Sequence, residues 1–127
     1  MRGLHHEVFH FADLADDGSL APDPSWEALN PSSFVYGAGG RSLRSAWAAR
    51  EPDADGFLSG GFVSAYATSG PEEDKAETFA FAVARSSQAR VRARAATDPR
   101  LASKLREIAR RIGKLDPDTP RALSIEY

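Results

Sequence analysis

The chain contains no cysteine and a single methionine, Met1. No disulfide, thiolate metal site or cysteine nucleophile can contribute to its chemistry. No apolar run approaches the roughly 18 to 20 residues that cross a bilayer, so no membrane partner is expected. His5, His6 and Glu7 interrupt any apolar core of a signal peptide at the start. Aromatic residues are missing between Val83 and the final Tyr127, which leaves the most basic part of the chain without a platform for base stacking. Internal repeats and low-complexity segments are also lacking. What remains is ordinary globular composition over 127 residues, 42% hydrophobic and 27% charged, and one domain spanning 1–127 is the natural expectation. Thirteen arginines stand against three lysines, with many alanines, a bias of GC-rich bacterial genomes. The compartment, bacterial cytoplasm or secreted, is left open.

The net charge of −2 hides an asymmetry. Residues 1–84 carry five basic and thirteen acidic side chains, whereas residues 85–115 carry ten basic and two acidic ones. A basic segment can signal nucleic acid or an acidic partner. The simpler reading is a solvated helix face that complements an acidic body.

Three helices are expected. With 100° per residue, Leu4, Val8, Phe11 and Ala15 fall in one stripe of a helix over 2–15, opposite His6, Glu7, His10 and Asp13. Residues 71–86 form the second, with Pro71 in its first turn, Glu72, Glu73 and Asp74 at its positive end, and an apolar stripe of Ala76, Phe79, Ala80 and Val83. The third covers 98–115, capped by Asp98 and stopped by Asp116 and Pro117, with Leu101, Leu105, Ile108, Ile112 and Leu115 at helical spacing. Arg90, Arg92 and Arg94 fit helix or extended chain equally. Between the first two helices runs a long irregular insert. It is rich in Gly, Pro, Ser and Asp, with a short helix at Trp26 to Leu29 and a short strand at Phe34 to Tyr36. Its Trp26, Phe34, Tyr36, Trp47 and Phe57 are too many aromatics for a free linker.

All three histidines lie within residues 5–10, where residues 6–10 read H-E-V-F-H. On a helix His6 and His10 stand one turn apart, so both imidazoles can reach one zinc ion. Glu7 leans toward the same face and can take a proton from metal-activated water. His5 points about 100° away from His6 and is a bystander. The alternative is a histidine pair on a solvated helix face. A catalytic zinc needs a third protein ligand, and two places could supply it. Asp16, six residues after His10, would follow the metzincin layout with aspartate replacing the last histidine. That layout also wants a glycine where this chain has Asp13, and a later Met-turn, which Met1 cannot form. The other place is the second helix, where Glu73 and Glu77 are one turn apart. One could ligate the metal and the other hold the far nitrogen of a ligating histidine; two surface carboxylates at a helix start are the competing reading.

The segment G-F-V-S-A-Y-A-T-S-G-P-E-E-D-K-A-E-T-F-A, residues 61–80, resembles the second zinc motif of gluzincin metallopeptidases. It is most similar to the anthrax lethal factor-like branch and its bacterial zinc-binding relatives. In that branch a tyrosine precedes a glutamate ligand by seven residues, and the glutamate opens E-x-x-x-E followed by a small residue and phenylalanine. Tyr66, Glu73, Glu77 and Phe79 match that spacing. The resemblance covers roughly residues 4–86, and S-W-E-A-L-N-P-S-S-F-V-Y-G, residues 25–37, is similar to the insert of such relatives. It implies zinc held by His6, His10 and Glu73, with Glu77 orienting His6. It also implies Glu7 as general base and Tyr66 as hydrogen-bond donor to the oxyanion or leaving group. Phe62 nearby makes a packing role for Tyr66 an alternative.

The expected fold is therefore mainly α, an α+β remnant. It is a zincin-like helical subdomain built from an HExxH helix (1–15), an insert (16–70), a third-ligand helix (71–86) and a C-terminal helix (98–115). Gluzincins carry a β-sheet lobe before the HExxH helix, whose edge strand pairs with substrate. Here five residues precede His6, so the chain resembles the C-terminal part of a catalytic domain, with a partner chain or an N-terminal lobe expected to cover the first helix. The expected activity is zinc-dependent hydrolysis of a peptide or protein substrate. A non-catalytic zinc-binding remnant or protein-interaction module is the first rival. A nucleic-acid-binding role for Arg85 to Lys114 is the second, and it is the less expected of the two.

Overall fold

The computed structural model describes residues 23–37 and 51–122. His6, Glu7, His10, Asp16 and Trp47 lie outside the described residues. Within them the chain is mainly helical, and helices are numbered here in their order among these residues. They are α1 (Pro24–Glu27), α2 (Pro71–Val83), α3 (Gln88–Ala95), α4 (Pro99–Leu115) and α5 (Thr119–Ala122), with a 3-10 turn at Tyr66–Ser69 before α2. Among the described residues there is no strand. Leu58 and Phe62 form one isolated antiparallel bridge.

The longest helix, α4, follows from local signals. The Asp98 carboxylate accepts hydrogen bonds from the N–H groups of Arg100 and Leu101, both at 3.1 Å, and Pro99 takes the first helical position. Leu101, Leu105, Ile108 and Ile112 are buried, while Leu115, at the end of the expected stripe, is 48% exposed. Helix α2 also starts at a proline but stops at Val83, three residues short of the expected end. Ala84 is extended, and the Ser87 hydroxyl donates to the Phe81 carbonyl at 2.7 Å, occupying a C-terminal acceptor. The ambiguous arginine stretch is helical, with Val91 as its buried residue. Phe34 to Tyr36, expected as a strand, forms neither strand nor helix.

The main core gathers Trp26, Phe57, Val63, Phe79, Val91 and the apolar stripe of α4. A smaller cluster of Leu58, Phe62 and Ala67 packs with Phe34 and Tyr36. Of the insert aromatics that are described, Trp26 and Phe57 join the main core and Phe34 and Tyr36 the smaller cluster, so none is a free linker residue. Gly61 sets the path into the 3-10 turn. Its φ of +90° suits glycine, and a Cβ there would stand 2.9 Å from the Leu101 backbone nitrogen. The Gly61 N–H donates to Asp98 at 3.1 Å. The Asp98 carboxylate thus seats this approach as well as capping α4.

Candidate metal centre

From Gly61 the chain passes through Ser64 into the 3-10 turn, then through Gly70 into α2. The turn is closed by its own hydroxyls: Thr68 donates to the Ala65 carbonyl at 2.6 Å and Ser69 to the Tyr66 carbonyl at 2.7 Å. Its outer side is tied to the insert by the Gly37 N–H, which donates to the Thr68 carbonyl at 3.0 Å. Tyr66 sits on this turn and is 36% exposed, whereas Phe62 is buried. Phe62, not Tyr66, fills the core position.

Glu73 and Glu77 lie one turn apart on α2 and are both half-buried. The Ser64 hydroxyl donates to Glu77 Oε2 at 2.9 Å and accepts from the Ala67 N–H at 3.2 Å. One serine therefore ties Glu77 to the turn that carries Tyr66. Glu73 Oε2 is withdrawn from solvent. The structure thus brings the three described candidates, Tyr66, Glu73 and Glu77, onto one continuous turn-and-helix unit. Among the described residues, which contain no histidine, no three metal-binding side chains form a cluster. A half-buried carboxylate at the start of α2 is a donor of a type that zinc accepts.

Beside the glutamates, the first turns of α2 hold a feature that pattern reading missed. Asp74 and Lys75 are both fully buried. Three donors converge on Asp74 Oδ2: the Trp26 indole N–H at 3.0 Å, the Tyr36 hydroxyl at 2.6 Å and the Lys104 ammonium at 2.7 Å. The Asn30 amide donates to Tyr36 at 2.8 Å, so the phenolic proton is directed to Asp74. Lys75 pairs with Asp23 at 2.8 Å, and Asp23 also receives the Arg111 guanidinium, which reaches its Oδ1 at 3.0 Å. Glu107 accepts from Arg111 Nε at 2.8 Å. The basic stretch is therefore only partly a solvated face, because Lys104 and Arg111 are buried within it.

Electrostatics follow the pairing. Burial pushes the Asp23 carboxyl up, but Arg111, Lys75 and the Trp26 N–H outweigh it and hold it well below the usual aspartate range. Burial, with the Asp74 carboxylate, pushes the Tyr36 phenol far up, so it stays a donor. Burial draws the Lys104 ammonium down against the opposing pull of Asp74. Hydrogen bonding from Arg110, joined by Arg111, keeps Glu107 below its ordinary value.

A signal for this cluster did exist. Lys104 and Arg111 sit three residues after Leu101 and Ile108, within the apolar stripe of α4. Cations at stripe positions call for buried carboxylates, though α4 alone cannot say which.

Comparison of the chain with family models, curated proteins and solved structures returns no match.

Proposed function

We propose that the chain is a zinc-dependent peptide-bond hydrolase. What supports this reading is the presence, in one sequence, of H-E-V-F-H at residues 6–10 and of two glutamates that are half-buried one turn apart on α2, after a turn bearing exposed Tyr66. His6, His10 and Glu73 would hold the metal. Bound there, zinc supplies the Lewis acidity that lowers the pKa of water toward about 7. Glu7 takes the proton from the attacking water and returns it to the departing amine. The Tyr66 phenol donates a hydrogen bond to the carbonyl oxygen as negative charge develops. Glu77, steadied by Ser64, would accept from the second ring nitrogen of His6 and so orient it.

The test combines zinc content with cleavage of an unfolded protein substrate. The wild type should hold about one zinc per chain, the ratio a single three-ligand site predicts, and cleave. Glu7→Gln should keep zinc and lose cleavage by a factor on the order of 10² to 10⁴. Tyr66→Phe should slow turnover with zinc binding intact. Cleavage retained in Glu7→Gln would refute the mechanism, and zinc without any wild-type cleavage would identify a non-catalytic zinc-binding module.

A further inference from the structure

The first turn of α2 carries the proposed ligand Glu73 and, one residue later, the fully buried Asp74. The donors on Asp74 come from three separate pieces of chain: Trp26 from α1, Tyr36 from the insert and Lys104 from α4. Lys75, the next residue, is pinned to Asp23, which α4 also grips through Arg111. Two consecutive residues of α2 are thus held by partners of opposite sign, so the helix can neither slide nor turn without breaking a buried ion pair. Taking Asp74 as zero, Glu73 lies at −100° and Glu77 at −60°, so both glutamates share a side that the Asp74 anchor fixes. A carboxylate about 5–6 Å from the helix axis moves by about 2 Å when the helix turns by 20°. Metal–ligand distances tolerate only about 0.2 Å. Small errors in the rotation of α2 would therefore matter more to a ligand than to the core.

We infer that Asp74 is a positioning residue for the metal centre: its convergence of Trp26, Tyr36 and Lys104 sets the rotation of α2 and so aims Glu73 and Glu77. The inference rests on the zinc-ligand reading of Glu73. The buried hydrogen bonds are directional, which apolar packing of α2 against α4 is not, and directionality is what a fixed rotation requires.

The experiment measures zinc affinity of the full chain by competition with a chromogenic chelator, with the folded fraction of each variant set by circular dichroism. Asp74→Asn keeps the shape but weakens the anchor, and Tyr36→Phe removes one donor. Ile108→Val is a core control that costs stability without touching the anchor. Folded Asp74→Asn should bind zinc about tenfold more weakly or worse, in line with the loss of outer partners at metal sites. Tyr36→Phe should lose a few-fold, and Ile108→Val should match the wild type. If Asp74→Asn does not fold, Tyr36→Phe against Ile108→Val decides. Wild-type affinity in both anchor variants overturns the inference while leaving the ligand assignment standing, and so does an equal loss in the control. A wild type that takes up no zinc overturns the ligand assignment itself, and the positioning role with it.

Discussion

On its inner side α2 carries Asp74, Lys75 and Thr78, all fully buried, with partners drawn from α1, the insert and α4. On its outer side the same turns carry Glu73 and Glu77, half-buried, with Ser64 from the approach to the 3-10 turn donating to Glu77. The inner charges face partners 30 to 52 residues away in sequence, whereas Ser64 is 13 residues from Glu77. The contrast separates two uses of charge on one helix. Inside, opposite charges are matched and withdrawn from water, which fixes geometry. Outside, two carboxylates of one sign stand half-buried one turn apart, the arrangement on which the zinc proposal rests.

The largest way to break this comparison is Asp74→Ala. It leaves the Lys104 ammonium buried without its carboxylate, and urea unfolding should show a loss of about 3–5 kcal/mol. A loss below 1 kcal/mol, on that same scale, would mean the inner network is not what holds α2. Glu77→Ala probes the outer side. It should weaken zinc binding by about 10- to 100-fold while unfolding stability stays within about 1 kcal/mol, the scale of one hydrogen bond. A stability loss as large as that of Asp74→Ala would erase the distinction between the two sides.

Acid sharpens it further. The Asp23 carboxyl lies lower in the folded chain than in the unfolded one. Its contribution is therefore complete above the unfolded value near 4 and is lost as pH falls below it. Stability should decline from about pH 5 downward, with a flatter decline in Asp23→Asn. Equal slopes in the two proteins would remove Asp23 from the acid response. The smallest effect is expected at Arg106, an exposed residue whose guanidinium donates to Ser103 within its own helix. Arg106→Ala should change stability by no more than about 0.5 kcal/mol, which a larger measured loss would contradict.

What the sequence disclosed was local. The Asp98 cap, Pro99 and the Leu101–Ile112 stripe define α4 within a few turns, and Pro71 with its acids defines the start of α2. The end of α2 was set by Ser87 reaching back to Phe81, a contact without a periodic signature. Asp74 read as an ordinary acid at a helix N-terminus, and Lys104 and Arg111 as members of a basic face, because their partners are far away in sequence. The candidates Glu73 and Glu77 came from one-turn spacing together with the resemblance of residues 61–80 to a second zinc motif, neither of which needs the fold.

The most direct measurement is zinc stoichiometry and affinity of the purified full chain beside Glu73→Ala, before any chelator is used and with folding monitored in both. The account predicts about one zinc per wild-type chain and a folded Glu73→Ala protein that has lost tight binding. Equal zinc in the two proteins, or none in the wild type even after zinc is added, would contradict it.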